Sequence, residues 1–227
     1  MRQLQHLLRW DGIHLWRNQI VQVSLLVGAV YLGAFYLLRS LGALDDLLVV
    51  LVFNDPIVMS YFFAGVLLLF ERDQRTLEAL AVTPLDTATY LLSRGLTLAT
   101  LATAVALAMV WTGGGFRLHY VPFLLGTFGT SALFAWWGCL VGRASAGFNV
   151  FLLRSVLFVL PVALPLLWLF GAWNHPLLWG IPSMPGVVLL KGAFAPLPTW
   201  QYAYGYGYLG GALLLTFWWS KRFFRPQ

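Results

Sequence analysis

Residues 47–70 read Leu47-Leu48-Val49-Val50-Leu51-Val52-Phe53-Asn54-Asp55-Pro56-Ile57-Val58-Met59-Ser60-Tyr61-Phe62-Phe63-Ala64-Gly65-Val66-Leu67-Leu68-Leu69-Phe70, and Glu71-Arg72-Asp73-Gln74-Arg75 follows at once. Almost every position is apolar, so a helix built from it has no face to turn toward water. About 20 apolar residues carry a helix across a bilayer's hydrocarbon core, where only a helix or a closed barrel satisfies its own backbone polar groups. The abrupt charged edge at Glu71 marks where lipid ends. The rest of the chain has the same character: of 227 residues, 60% are hydrophobic and 10% charged, and the mean hydropathy is +0.78. Roughly a quarter of a soluble domain is charged. The 14 basic and 8 acidic residues here are too few to cover a water-soluble body of this size. The net charge of +6 and pI of 9.8 fit basic loops on one side of a membrane better than a nucleic-acid surface. Cys139 is the single cysteine, which excludes an intramolecular disulfide and a cysteine-built metal site.

Hydropathy gives six spans, at about 20–38, 47–70, 95–112, 121–141, 155–172 and 201–219. With both ends in the cytoplasm, the inner segments carry Arg2, Arg9, Arg17, Arg72, Arg75, Arg94, Arg143, Arg154, Lys221, Arg222 and Arg225. The outer segments carry only Arg39, Arg117 and Lys191. That division of 11 against 3 favours six spans over five, because five would send one terminal basic cluster outside. Trp111, Tyr120, Trp200, Tyr202, Trp218 and Trp219 fall at span ends, the headgroup level that amphipathic rings prefer. The expected architecture is therefore all-α and polytopic, one transmembrane domain over residues 1–227 with no soluble domain and no internal repeat.

Residues 1–19 precede the first span without a short apolar core or a small-residue cleavage site, so the first span is expected to remain as an anchor. On a helical wheel Met1, Leu4, Leu7, Leu8 and Leu15 share one arc and Arg2, His6, Arg9 and Arg17 lie opposite, the pattern of an interfacial helix. Asp11 intrudes on the leucine arc. Topology anchor and gating element both fit this helix.

Residues 71–90 hold four of the eight acids: Glu71, Asp73, Glu78 and Asp86. Glu71 to Arg75 is an i,i+4 pair and Arg75 to Glu78 an i,i+3 pair, while Leu77, Leu80 and Ala81 share a side. The spacing predicts that the second span continues outward as a short amphipathic helix. Thr83-Pro84-Leu85-Asp86 then reads as a new helix start, with Thr83 at the N-cap, Pro84 at the first position and Asp86 in the first turn. Two helices joined this tightly form a stiff protrusion able to pass on a push from outside the membrane. An ordinary solvated connector is the alternative.

Glu71-Arg72, Thr76-Leu77-Glu78-Ala79-Leu80, Thr83-Pro84-Leu85 and Tyr90-Leu91 together resemble the signature of ABC-2-type transporter permeases. Arg75 stands where that signature has glycine, and Arg94 where Lys or Arg is common. More narrowly, Leu8-Arg9-Trp10-Asp11, Asn54-Asp55-Pro56, Phe148-Asn149 and Pro182-Ser183-Met184-Pro185 resemble the fluoroquinolone-export permeases of that superfamily. The resemblance implies a permease subunit in a prokaryotic plasma membrane, working as a homo- or heterodimer with a separate ABC ATPase and exporting a lipophilic or drug-like substrate. It also implies an ATPase-coupling role for Glu71, Arg72, Arg75, Thr76, Leu77, Glu78, Leu80, Thr83, Pro84, Leu85 and Asp86. Two other functions remain open: a haem-exporter-B-like permease of cytochrome c maturation, and a membrane assembly or signalling subunit that recruits a partner without transport.

No phosphate-binding GxxxxGK[ST] loop occurs, and the only lysines are Lys191 and Lys221, so ATP and Mg are expected on the partner subunit. His6, His14, His119 and His175 form no HExxH pair, and no GxSxG is present, so no catalytic, cofactor or metal residue is assigned. Inside the spans, Asn54, Asp55, Pro161 and Pro165 are the candidates for a substrate path. Asp55 can be read as the cap of a helix starting at Pro56 or as an acid lining the path. Pro161 and Pro165 should bend the fifth span, either as a flexible element or as a static kink. Residues 173–200 are too apolar for a free loop and too broken by proline for a clean span, so they read as an outer re-entrant or surface-lying segment.

Overall fold

The computed structural model describes residues 2–17, 19–38, 44–74, 86–112 and 118–224. Among these residues the chain is mostly helical, with short turns between the helices, and holds no strand. The helices are α1 (Arg2–Arg17), α2 (Ile20–Leu38), α3 (Leu44–Val52), α4 (Val58–Asp73), α5 (Thr87–Thr112), α6 (Tyr120–Ala144), α7 (Phe148–Ala163), α8 (Pro165–Leu169), α9 (Met184–Phe194) and α10 (Thr199–Phe223). A π turn at Phe53–Ile57 joins α3 to α4, and a 3₁₀ turn at Pro176–Gly180 precedes α9. Each of the six apolar stretches is helical. Three of the helical runs, Thr87–Thr112, Tyr120–Ala144 and Phe148–Leu169, are long and apolar enough to cross a membrane.

The centre of the bundle is α6, which α4, α5, α9 and α10 surround. Its sequence permits this close wrapping because Gly138 and Gly142 recur at helical spacing. A Cβ on Gly138 would stand 2.0 Å from the Tyr61 carbonyl oxygen, and one on Gly142 would stand 3.0 Å from the Gly65 Cα. Small residues four apart let two backbones touch, which is how helices associate where lipid is as apolar as leucine. Next to this seam, Tyr61 of α4 stacks on Phe158 and Phe151 of α7, with centroids 4.9 and 5.9 Å apart. The Ser155 hydroxyl donates to the Tyr61 hydroxyl over 3.2 Å, giving that buried polar end a partner.

The outer surface of the bundle is apolar. Leu153, Val156, Leu157 and Leu160 of α7, Leu25, Leu26 and Val30 of α2, and Leu214 and Leu215 of α10 are all exposed. Patches of this extent mark a surface meant for something other than water. Together with the three long apolar helices, they make this a membrane protein.

Several local expectations need correction. Asp55 does not cap a helix start, because the backbone is helical on both sides of it and residues 53–57 form the π turn. Pro56 lacks an N–H, and a wider helical turn absorbs that gap without ending the helix. Helix α4 ends at Asp73, with Gln74 as its C-cap, and the amphipathic stretch through Leu77, Leu80 and Ala81 lies outside the described residues. The helix that carries Tyr90 opens at Thr87, with Asp86 outside it and the Asp86 carbonyl accepting from the Tyr90 N–H at 3.1 Å, while the expected start at Thr83, Pro84 and Leu85 lies outside the described residues. The fifth stretch, by contrast, is interrupted where Pro161 and Pro165 are expected to bend it: it divides there into α7 and α8, and the Leu164 N–H bonds the Pro161 carbonyl at 3.3 Å. Residues 173–200 contain the 3₁₀ turn and α9, and nearly all of α9 is buried against α6 and α10.

Candidate functional site

The best-connected candidate residues cluster at one end of the bundle, where α1, the end of α4 and the start of α5 meet. Helix α5 begins at Thr87, inside the 71–90 segment, and carries Tyr90, Ser93 and Arg94 on its first two turns. Arg94 is 1% exposed, the largest of the fully buried side chains among the described residues. A charge so placed survives only if it is paired. Its guanidinium bonds the Glu71 carboxylate from the last turn of α4. It also lies 3.5 Å from the Asp11 carboxylate of α1. Tyr90 adds its hydroxyl to the Glu71 Oε2 at 2.6 Å and lies under the guanidinium, 5.5 Å from ring centroid to Cζ. Ser93 donates to the Asp11 Oδ2 at 2.5 Å. One cation thus joins two carboxylates from helices on either side of it. Below it, the Trp136 indole of α6 donates to the Leu91 carbonyl at 2.8 Å and fixes α5 on the central helix.

Two more arginines lock the same end. Arg72 donates to the Ser145 carbonyl at 2.6 Å and to the Ala146 carbonyl at 3.0 Å, and Arg154 donates to the Ala144 carbonyl. These carbonyls end or follow α6, where a helix has unsatisfied acceptors and a partial negative charge. Arg143 lies over Phe224, 4.8 Å from its centroid, and Lys221 of α10 is 3.8 Å from Asp86. The last pair is exposed and worth little by itself.

Of the sequence-derived coupling residues, Glu71 and Arg72 therefore join this network and Asp86 opens α5. Arg75, Thr76, Leu77, Glu78, Leu80, Thr83, Pro84 and Leu85 lie outside the described residues. Glu71 was expected to pair with Arg75 along its own helix. Its described partners are Tyr90 and Arg94, across the protrusion. Asp11, Ser93 and Arg94 join the network although they are not among the coupling residues that the resemblance implies. The available signal was Asp11 itself, an acid on an otherwise leucine-rich arc.

The path candidates do not converge in the same way. Asn54 donates to the Tyr31 hydroxyl of α2 at 2.9 Å. The Asp55 side chain lies outside the described residues. Pro161 is exposed and Pro165 buried on the peripheral α7–α8 run. A small cavity of about 10 Å³ sits between α2, α4 and α5, lined by Ser24, Ser60, Phe63 and Leu98. It has room for about one water molecule and for nothing larger. Among the described residues no group of His, Cys, Asp or Glu could hold a metal ion.

The chain resembles two curated proteins of Mycobacterium tuberculosis, the fluoroquinolones export permease proteins of strains CDC 1551/Oshkosh and H37Rv. It is 29% identical to each over 163 residues, 68% of this chain and 67% of theirs. No solved structure matches it. The fluoroquinolones export permease protein family matches residues 2–226. A match of that length leaves almost no residue outside the family, and with the all-helical, lipid-facing bundle it makes this chain a membrane transport permease of the fluoroquinolones export permease protein family.

Proposed function

We propose that this chain is the membrane subunit of an ATP-driven exporter, with six spans, both termini in the cytoplasm and a separate ABC ATPase as its motor. The observation that carries the reading is the buried joint of Glu71, Tyr90 and Arg94 at the base of the 71–90 segment, in a chain of a permease family. A push on that segment is useful only if its base is stiff, and a buried ion pair with directional hydrogen bonds is stiffer than a solvated loop. The one-sided gathering of Asp11, Arg72, Asp86, Arg94, Arg154 and Lys221 supports a common cytoplasmic end.

ATP and Mg belong on the partner, since the sequence has no phosphate-binding loop. Two permease copies, or this one with a related permease, would flank the path. The substrate is lipophilic or drug-like, in keeping with the relatives' names and with a bundle that offers aromatic and aliphatic lining. The aromatic- and aliphatic-rich interior and the family match favour export of such a compound over haem transport or a purely scaffolding role.

The test is co-expression and co-purification with candidate ABC ATPase subunits from the same genome, followed by ATP turnover in proteoliposomes against a panel of lipophilic compounds. The expected result is turnover by the complex, none by the permease alone, stimulation by at least one compound, and loss of that stimulation in Glu78→Lys. Robust ATP hydrolysis by the isolated chain, or an intact complex whose turnover ignores both the compounds and Glu78→Lys, would sink the reading.

A further inference from the structure

The network around Arg94 holds a residue that the 71–90 segment does not need. Glu71 and Tyr90 already brace the two ends of the protrusion. Asp11 comes from α1, and both of its described polar partners, Ser93 and Arg94, are on α5. The other side of α1 is different: Trp10, Ile13 and Trp16 are exposed there. Leu15 is buried in a cluster with Leu91 and Leu98 of α5. A helix that serves only as an interfacial anchor needs its aromatic face and some leucine packing. A carboxylate that is only 13% exposed is costly for that purpose, because its desolvation has to be offset by the pair it makes. Apolar contacts between helices can slide. A carboxylate held by a hydroxyl and a guanidinium on consecutive residues cannot slide without losing both bonds.

From this we infer that α1 is a working part of the coupling joint and that Asp11 is its positioning residue: a displacement of the 71–90 segment reaches α1 through the Asp11–Ser93–Arg94 contact. Arg94 is then shared between the moving segment, through Glu71, and the helix that must follow it, through Asp11. The start of α5 and α1 move as one body. The inference rests on the exporter reading above.

The experiment is hydrogen–deuterium exchange on the full complex with its ATPase in nanodiscs, with and without a non-hydrolysable ATP analogue. In the wild type the analogue should change exchange both in residues 71–90 and in residues 2–17. In Asp11→Asn, which keeps the size and can still accept from Ser93, the change in 71–90 should persist and that in 2–17 should be mostly lost. Asp11→Glu, which restores the charge, should regain part of it. A merely structural role for Asp11 would alter exchange of α1 at rest and leave its nucleotide-dependent difference in place. If 2–17 is silent in the wild type while 71–90 responds, the inference is overturned whether or not any variant folds. It is equally overturned if Asp11→Asn transmits the full difference. If 71–90 itself ignores the nucleotide, the exporter reading fails, and this inference with it.

Discussion

Arg94 is one positive charge serving two carboxylates, and its removal leaves both uncompensated in a site almost closed to water. Breaking a buried pair from one side typically costs about 3–5 kcal/mol, more than most single changes. Arg94→Gln should therefore lower the thermal unfolding midpoint in detergent sharply and reduce membrane yield. Arg94→Lys should fall between, because an ammonium keeps the charge but cannot reach Glu71 and Asp11 in a planar fork. An Arg94→Gln protein as stable as wild type would show that the cluster is not ionic in the membrane. Gln19 makes a smaller case of opposite sign. It holds φ at +59°, the left-handed region, at the corner between α1 and α2. For a residue with a Cβ this conformation costs about 1–2 kcal/mol, and glycine adopts it freely at some expense in unfolded-state entropy. Gln19→Gly should gain about 0.5–1 kcal/mol, read as a modest rise in the same midpoint. Asp11 shows how far the sequence reached at this scale. Its misfit on the leucine arc was visible. Its partners were not, because Ser93 and Arg94 are 82 and 83 positions away and meet it only when α1 folds back on α5.

Among the elements, the contact that sets the bundle is α4 against α6. Gly138 faces the Tyr61 carbonyl with no space for a methyl group, and the atom in the way is backbone, which cannot swing aside. Gly138→Ala should force the two helices apart and cost about 1–3 kcal/mol or more as an overpacking change. It should also disturb the nearby Tyr61–Phe158 stack, and a thermal shift assay with tryptophan fluorescence would register both effects. An unaltered midpoint would mean the seam is looser than drawn. Gly207 and Gly211 of α10 have the same four-residue spacing and open space where a Cβ would stand, so alanine there should leave folding of the single chain unchanged. The two seams have the same glycine spacing, and only the packing tells them apart: Gly138 faces a backbone and Gly207 faces outward. Element type was legible because apolar runs of about 20 residues admit little else in lipid. Element ends were less so. The π turn at Pro56 and the opening of α5 at Asp86 depend on how the backbone finds acceptors, which hydropathy does not record.

For the whole molecule, the decisive arrangement is which groups share an end. Helix α5 is 26 residues long, about 39 Å at the rise of an α-helix, and α6 returns over a similar length. Both exceed the roughly 30 Å of hydrocarbon in a bilayer. Asp86, Lys221 and the Arg94 cluster therefore lie at one end. His119, whose N–H bonds the Ala193 carbonyl at 2.9 Å, lies at the other, as does the Trp179–Trp200 contact with centroids 5.0 Å apart. On the reading proposed above, the first end faces the cytoplasm, as the basic-residue count favours. Cys139 is the sole cysteine and is fully buried, so single reporter cysteines can be read against it with little background. In intact cells a membrane-impermeant maleimide should label His119→Cys and Trp200→Cys, and it should label Lys221→Cys and Asp86→Cys only after the membrane is opened. The opposite pattern would put the 71–90 segment beyond the reach of any cytoplasmic ATPase and would refute the motor-driven mechanism while leaving the fold intact. Labelling of all four from outside would mean that α5 and α6 do not cross, and the positive-inside count would then have been satisfied by chance.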